Sequence, residues 1–364
     1  MRPVTGKRIV AALAAGGLTL AVAACGDAPD KTPSGSGTSA AAAYSACMVT
    51  DTGGIDDRSF NASAWAGMQA AKSVASNVNP SYVASTAEAD YEPNLRSFVT
   101  KKCNFILAVG GLMSDATKKV AAENTGSQFA IVDSAIAGAT NVYPMQFATD
   151  EAAFLAGYLA AGYSKTGKVA TYGGLKIPPV TVFMDGFADG VAQYNKVKSK
   201  NVQVIGWDKA KQNGTFAESF VDQNKGKSIT NTFVAQGADV VMPVAGGTGL
   251  GAATTAQASS GKVSVIWVDV DGCESAPQYC SVFLSTVYKN ISDAVQKTVT
   301  AAAGGTFASG ASVGTLDNGG TGLSPFHDFD SKVPAELKSE LTQIQKDIIS
   351  GKIAIKSKVQ PKAA

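Results

Sequence analysis

Aromatic, acidic and glycine residues follow several strand-like segments of this sequence, at the positions where open α/β sheets bind ligands. The face of a phenyl ring stacks on a flat heterocycle, and such a contact contributes roughly 1–3 kcal/mol per base. Carboxylates accept strong hydrogen bonds from ring N–H groups or vicinal hydroxyls, and they repel phosphate. The set therefore favours a nucleoside or a sugar over a nucleotide. Its members are Asp51, Phe60, Asn61, Asp133, Phe183, Ala245, Gly246, Gly247, Asp269, Asp271 and Lys289.

Two members of the set have a competitor of the same residue type nearby. Phe187 follows Phe183 in the segment after the strand that ends at Tyr172, and we prefer Phe183 because of its distance from the preceding Pro-Pro turn. Asp269 and Asp271 stand two residues apart, so they would share one face of a continuing strand. Either aspartate could then reach a ligand.

Other signals in the sequence disfavour catalysis and a bound cofactor. The glycine-rich segment after residue 244 lacks both the Gly-Lys-Ser/Thr end of a phosphate loop and the G-x-G-x-x-G spacing of a dinucleotide site. His327 is the only histidine, which excludes a multi-histidine metal site and disfavours histidine-based acid–base chemistry. The pair Asp56-Asp57 is the one hint of hydrolytic chemistry. We therefore expect a binding protein without a metal or cofactor, and not an enzyme.

Short β-like runs alternate with helical stretches from residue 44 onward, a pattern typical of βαβ units on parallel sheets. The predicted strands are Ser45–Thr50, Asn104–Val109, Phe129–Asp133, Asn141–Phe147, Lys168–Tyr172, Val202–Trp207, Asp239–Val244 and Val263–Val268. The predicted helices are Asn61–Ser76, Asp115–Asn124, Glu151–Tyr163, Asp185–Tyr194, Thr215–Asn224, Gly249–Ser260, Ser285–Ala303 and Pro334–Ser350. Two successive sets of such units predict two Rossmann-like lobes. If the lobes face one another, their strand ends converge on one cleft.

The composition of the 364 residues is that of a globular protein, since 45% are hydrophobic and 16% are charged. At about 150 residues per domain, the length suggests two domains. The formal net charge is +2, and three of the basic residues precede Cys25. A nucleic-acid-binding protein would carry a basic face or stripe, so this near-neutral balance argues against that class.

The first residues have the features of a secretory leader that ends at a lipid-attachment site. A positively charged start and an apolar stretch lead to Val-Ala-Ala-Cys, the small-residue pattern of a lipobox that ends at Cys25. We predict a signal peptide over residues 1–24, lipid on the sulfur of Cys25, and a flexible tether over residues 25–43. The alternative is a secreted protein that is cut near Ala24 without lipid.

The four other cysteines are expected to pair, because an even number in an exported chain usually forms disulfides. They allow three connectivities. We favour Cys273–Cys280, which closes a short loop, with Cys47–Cys103, which joins the starts of two predicted strands. The absence of CxxC spacing and of histidine partners disfavours a metal cluster.

The segment from Asp51 to Gly67 has the pattern DxGGxxDxSFNxSAxxG, which resembles the opening motif of the basic membrane protein family. Four later segments resemble blocks of that family in the same order, namely GGLKIPPVTVFMDGF, VAGGTG, WVDVDG and STVYKN. The resemblance covers roughly residues 45–355. Members of this family are purine-nucleoside-receptor lipoproteins of ABC importers.

The resemblance implies an α/β, type I periplasmic-binding fold, in which two Rossmann-like lobes are joined by three crossovers and close on a ligand. We assign residues 44–147 and 272–310 to the N-terminal lobe. Residues 148–271 and 311–364 are assigned to the C-terminal lobe. The ligand is expected in the cleft between the lobes.

The resemblance also divides the candidate residues between a purine base and its ribose. The base would be stacked between two rings and read by polar groups, which are Phe60, Phe183, Asp51, Asn61 and Asp133. The ribose would be held by Ala245, Gly246, Gly247, Asp269 or Asp271, and Lys289.

The expected partners are a purine nucleoside, the permease and ATPase subunits of an importer, and the membrane through Cys25. We expect a monomer on the extracytoplasmic side that binds no nucleic acid. Two other functions stay open, namely a receptor of the same fold for a sugar or a signalling ligand, and a surface enzyme that processes nucleosides.

Overall fold

The computed structural model describes residues 42–307 and 310–361, so the predicted signal peptide, Cys25 and the tether before residue 42 lie outside the described residues. The strands are β1 (Tyr44–Thr50), β2 (Val78–Val83), β3 (Phe105–Val109), β4 (Gln128–Val132), β5 (Val142–Phe147), β6 (Lys168–Gly173), β7 (Gln203–Ile205), β8 (Trp207–Asp208), β9 (Asn213–Gly214), β10 (Val240–Val244), β11 (Ser264–Asp269), β12 (Phe283–Lys289), β13 (Ser312–Gly314) and β14 (Thr321–Leu323). The helices are α1 (Phe60–Val74), α2 (Tyr91–Thr100), α3 (Ser114–Glu123), α4 (Thr149–Tyr163), α5 (Pro178–Lys198), α6 (Gln223–Ala235), α7 (Leu250–Ala258), α8 (Gly272–Ser275), α9 (Ile291–Ala303) and α10 (Ala335–Ile349). None of the described helices has both the length and the apolar run that a membrane span requires.

The first lobe is built on a six-stranded parallel sheet in the order β13-β5-β4-β3-β1-β2. All of β3 is buried, and so is β4 apart from Gln128, as expected for apolar strands that are covered on both faces. Helices α1 and α9 cover one face, where Met68 and Val295 join the core. Helices α2 and α3 cover the other face through Leu95 and Val120.

The second lobe is built on a six-stranded sheet in the order β14-β12-β11-β10-β6-β7, in which β14 alone runs antiparallel. Helices α4, α5 and α10 cover one face, and α6 and α7 cover the other. Helices α4 and α5 pack so closely that a Cβ on Gly157 would lie 2.0 Å from the carbonyl oxygen of Phe187. This close packing fixes the position of α5, which begins at the cleft.

The described chain crosses between the lobes three times, from β5 to α4, from β12 to α9, and from β13 to β14. Helix α4 belongs to the core of the second lobe, and α9 packs with α1 in the core of the first. The predicted type I periplasmic-binding fold, with two Rossmann-like lobes and three crossovers, is therefore confirmed.

The predicted lobe boundaries need correction at two strands. Residues 272–310 are assigned to the N-terminal lobe by the sequence, but β12 pairs with β11 in the second sheet. The short disulfide loop between β11 and β12 returns the chain to the same sheet, so the crossing comes only after Lys289. Residues 311–364 are assigned to the C-terminal lobe, but β13 pairs with β5 in the first sheet.

Two predicted helices are wrong in part. The segment Ser285–Ala303 begins as strand β12 and becomes helical at Ile291, because its first residues include β-branched side chains that suit a buried strand. The segment Thr215–Asn224 is mostly loop, and α6 begins only where the Asp222 side chain caps it. The sequence prediction also omits β2 and α2.

Both predicted disulfides are present. Cys47–Cys103 joins β1 to the residues that precede β3, and Cys273–Cys280 closes the loop between β11 and β12. Each bond therefore stabilises a segment beside a central strand of its sheet.

Candidate ligand-binding site

A cavity lies between the two lobes, at the carboxyl ends of the strands. It encloses about 530 Å³ of empty space, part of it open to solvent. Its lining includes most of the predicted site residues, namely Asp51, Phe60, Asn61, Asp133, Phe183, Ala245, Gly246, Asp269 and Lys289.

The N-terminus of α1 presents a hydrogen-bonded group of polar side chains to the cavity. Asp57 accepts hydrogen bonds from three backbone N–H groups around the first turn, at 3.0, 2.7 and 3.1 Å. These are amides that a helix start leaves without intrahelical partners. Asn61 Nδ2 donates to Asp51 Oδ1 at 2.8 Å and to Asp57 Oδ2 at 3.2 Å. The cap of the helix therefore orients the Asn61 side chain beside Asp51.

This group retains acceptor capacity for a ligand. Asn61 Oδ1 is buried and has no hydrogen-bond partner within the described chain, and a buried acceptor without a partner is costly. Burial raises the pKa of Asp51, and the hydrogen bonds from Asn61 and from the Gly53 amide partly oppose that rise. Burial also raises the pKa of Asp57 to about 7, against its three backbone hydrogen bonds. Ligand N–H groups would satisfy such acceptors.

Two aspartates at strand ends have left-handed backbone conformations. Asp133 follows β4 with a φ of 61°, and Asp269 ends β11 with a φ of 70°. Residues other than glycine rarely adopt such angles, and the strain tends to occur at functional sites. The two carboxylates meet at Lys289 Nζ, which lies 2.5 Å from Asp133 Oδ2 and 3.2 Å from Asp269 Oδ1. One ammonium group thus bridges carboxylates from both sheets.

The charges in the cavity are not balanced. Burial lowers the pKa of Lys289, but Asp133 and Asp269 together outweigh it and raise the pKa above its ordinary value. Burial raises the pKa of Asp133, Lys289 lowers it, and Asp269 adds to the rise. Among the described lining residues, Lys289 is the only cation, and the acidic lining residues are Asp51, Asp57, Asp133 and Asp269. The cavity therefore has an excess of acidic groups.

The ammonium of Lys289 also lies over two phenyl rings from different lobes. Its Nζ is 4.6 Å from the ring centroid of Phe60 and 5.3 Å from that of Phe183, within the range of cation–π contacts. Phe60 packs at the edge of the first lobe's core, and Phe183 belongs to the core of the second lobe. The two rings therefore approach a common region of the cleft from its two sides.

Direct contacts between the lobes keep the cleft closed in this structure. Ser59 Oγ, at the start of α1, donates a hydrogen bond to Asp269 Oδ2 at 2.6 Å. A Cβ on Gly111, which follows β3, would lie 3.3 Å from Pro179 Cγ in the first turn of α5. The Lys289–Asp133 pair is a third contact of this kind, since it joins the ends of β12 and β4.

The structure separates the two phenylalanines that the sequence left in competition. Phe183 lines the cavity. Phe187 is fully buried in the core of the second lobe, where its backbone packs against Gly157. One turn of α5 thus separates a cavity residue from a core residue.

A third ring, Phe220, also lines the cavity, and the sequence reasoning missed it. Phe220 lies in a loop that the sequence pattern predicts as helix (Thr215–Asn224), which hides its position after a strand. A Cβ on Gly174 would lie 2.3 Å from the ring, so the ring occupies the space above that glycine. The sequence signal for this contact is the glycine pair Gly173-Gly174 at the end of β6, because a glycine at a strand end often marks a place where another part of the chain comes close to the backbone.

Two predicted site residues do not line the cavity. Strand β11 ends at Asp269, so Asp271 does not share its face. Asp271 instead accepts a hydrogen bond from the Cys273 N–H at 3.0 Å and lies 2.7 Å from His327 Nε2. Gly247 belongs to the turn after β10, next to the lining residue Gly246.

The residues Asp271, Cys273 and His327 are also the one group in the described chain with the spacing of a metal site. The Cys273 sulfur belongs to a disulfide. The group therefore offers no thiolate to a metal.

The sequence of residues 44–359 matches the Bmp profile, which describes PnrA-like substrate-binding proteins of ABC transporters. The chain is 32% identical over 351 residues to the CD4+ T-cell-stimulating antigen of Listeria innocua, with 92% of this chain and 94% of that protein covered. It is 33% identical over 331 residues to the ABC transporter nucleoside-binding protein BmpA of Lactococcus lactis subsp. cremoris, with 86% and 89% covered.

Solved structures with a similar fold include ABC transporter solute-binding proteins. One from Aeropyrum pernix K1 superposes with a TM-score of 0.78 at 24% identity, covering 88% of this chain and 94% of that one. One from Conexibacter woesei superposes with a TM-score of 0.65 at 19% identity, covering 86% and 99%. At these identities the likeness extends to the fold alone.

Proposed function

Because this chain belongs to the Bmp family of PnrA-like ABC transporter substrate-binding proteins, we propose that it is a lipid-anchored receptor that captures purine nucleosides for an ABC importer. Substrate-binding proteins of ABC transporters work outside the cytoplasm and deliver a small molecule to the transporter. They are not enzymes. The leader and the lipobox pattern at Cys25 support the lipid anchor.

The observation that carries the purine proposal is the pair of rings from opposite lobes that line one cavity. Phe60 and Phe183 lie within 4.6 and 5.3 Å of the same ammonium, measured to their ring centroids. A base between two aromatic faces gains stacking energy on both sides and is shielded from water when the lobes close. Phe220 adds a third apolar wall on the side of the second lobe.

The polar groups of the cavity suit a donor-rich ligand without phosphate. Asp51 and Asn61 Oδ1 would accept hydrogen bonds from N–H groups of the base. Asp269 and Lys289, beside the turn at Ala245, would bind ribose hydroxyls. The excess of carboxylates would repel a phosphate group, because like charges in a buried site interact strongly. The name of the Lactococcus relative, which describes nucleoside binding, agrees with this proposal.

Calorimetry with inosine, inosine monophosphate and free ribose tests the proposal. We expect inosine to bind, and we expect the monophosphate and ribose to bind at least about 100-fold more weakly, a difference of roughly 2.8 kcal/mol. Native mass spectrometry of protein from its own host would identify a retained ligand by its mass. A retained hexose without nucleoside binding would instead support a sugar receptor, and release of hypoxanthine from inosine would support an enzyme.

The pair Phe183 and Phe187 offers a matched test of the second ring. Phe183→Leu is expected to weaken inosine binding by roughly three- to tenfold, because leucine keeps apolar contact but loses stacking. Phe187→Leu makes the same change one turn away, outside the cavity lining. It is expected to lower thermal stability without a change in affinity. Equal affinities of the two variants would contradict the role of Phe183.

A further inference from the structure

We propose that residues 353–361 form a strap that positions the first turn of α5 and thereby controls how tightly the ligand cleft closes. This inference rests on the proposed function for its ligand, but not for its geometry. The strap follows α10 and ends beside the crossovers between the lobes.

The strap lies along the second lobe with alternating exposure. Ile353, Ile355 and Val359 pack against the core that α4 and α5 form. The intervening Lys356 and Lys358 are exposed. A period of two is the signature of an extended chain with one face buried, and a turn follows at residues 358–359. The segment is therefore docked on the lobe by its apolar face.

A buried hydrogen-bond network anchors the middle of the strap. Ser357 Oγ donates to Asp185 Oδ2 at 2.9 Å, and Asp185 in α5 is fully buried. The other carboxylate oxygen accepts from Trp207 Nε1 at 3.0 Å and from Gln212 Nε2 at 2.9 Å. The carboxylate is thus fixed on two sides by donors from the second lobe, and Ser357 ties the strap to that fixed point.

The end of the strap reaches a second, smaller cavity beside the ligand cavity. Val359 and Pro361 line this cavity together with Gln146 of the first lobe and Pro179 of the second. Pro179 and Asp133 line both cavities. Pro179 therefore lies between the ligand cavity and the smaller cavity, which the strap also lines.

Pro179 also takes part in the close approach of the two lobes at Gly111, which we call the closing contact. A Cβ on Gly111 in the first lobe would lie 3.3 Å from Pro179 Cγ and 3.3 Å from the Asp133 carbonyl oxygen, so the two lobes approach closely at this point. The strap is tied to α5 by the Ser357–Asp185 hydrogen bond and packs on the core of α4 and α5. It therefore holds α5 in the position that places Pro179 beside Gly111. Without that support the first turn of α5 can retreat, and the closed state loses stability relative to the open one.

Two strap variants test this inference against a control on the same segment. Val359→Ala and Ser357→Ala are expected to weaken inosine binding by about five- to tenfold, mainly through faster dissociation. Lys358→Ala changes an exposed side chain between them and is expected to bind normally. Ser357→Thr keeps the hydroxyl and is expected to restore the affinity that Ser357→Ala loses.

A second readout needs no ligand. Hydrogen exchange of the ligand-free full chain should be faster in Val359→Ala at residues 110–113 and 177–182, which meet at Pro179, and unchanged in strands β1 and β3. Unchanged exchange at these segments would overturn the inference, and so would faster exchange throughout the protein. If the wild type binds no nucleoside, the proposed function fails, but the exchange result still decides whether the strap supports the closing contact.

Discussion

Lys289→Met is expected to lower the free energy of unfolding by about 3–5 kcal/mol, the cost of removing one partner from a buried ion pair. The Lys289 ammonium is 2.5 Å from Asp133 and 3.2 Å from Asp269, and the three side chains are at most 9% exposed. Methionine has a similar volume and leaves both carboxylates without a counter-charge. Opening of the cleft would hydrate these carboxylates. The variant should therefore populate the open form more, which solution scattering would detect as a larger radius of gyration.

The same variant should show a stronger dependence of stability on pH. Lys289 lowers the pKa of Asp133, which burial raises, so loss of the lysine raises that pKa further. A carboxyl with a higher pKa in the folded than in the unfolded state gains a proton on folding. Its contribution to stability is present below the unfolded pKa and is lost as the pH rises through the folded pKa. The deficit of the variant should therefore be smaller near about pH 5 than near about pH 8.

Chemical denaturation at the two pH values measures this effect, and Lys198→Met is a matched control. Lys198 also bridges two carboxylates, those of Glu336 and Glu340, but it does so near the surface of the second lobe. Exposed ion pairs contribute little because water and salt screen them. If both variants lost the same stability, the burial of the Lys289 bridge would have no special energetic role.

Phe60→Ala is expected to weaken inosine binding by about 5- to 150-fold, which corresponds to roughly 1–3 kcal/mol for the loss of one stacked ring. Phe60 is only half-buried at the edge of the first lobe's core, so the fold should tolerate the change better than the ligand does. Calorimetry gives the affinity, and a thermal melt of the same sample confirms that the variant is folded.

Phe60→Tyr distinguishes stacking from a general role of the side chain in packing. The tyrosine ring presents the same aromatic face, so inosine binding close to that of the wild type is expected. A folded Phe60→Ala variant with unchanged affinity would rule out stacking on this ring. The ligand of the cleft would then have to be sought among molecules without a flat heterocycle.

Much of the site could be predicted from the sequence because it is local in the chain. Asp51, Phe60 and Asn61 stand within one strand-loop-helix unit, and the structure brings all three to the cavity. The apolar runs of β3 and β4 are short and buried, so their strand state follows from composition and length. Residues at the ends of such strands face the cleft wherever the parallel order holds.

Other site features depend on where an element ends. The sequence treats Asp269 and Asp271 as equivalent, but β11 stops at Asp269, whose left-handed conformation turns the chain. Asp271 then caps α8 instead of reaching the cavity. The Asp269 carboxylate contacts Lys289 and Ser59 from other elements, and no residue pattern near these aspartates indicates those contacts.

The amino-acid sequence by itself determined the two-lobed α/β architecture, both disulfides and the chemical character of the site. Hydrophobic periodicity, strand length and glycine positions are properties of short segments, and they persist in any correct fold of the chain. Only the tertiary structure decided that β12 joins the second sheet, that Phe220 lines the cavity, and that one lysine bridges carboxylates from both lobes. These features arise from contacts between residues far apart in the chain. The free energy of such a contact depends on which two surfaces meet, and the residue pattern within either segment does not specify that.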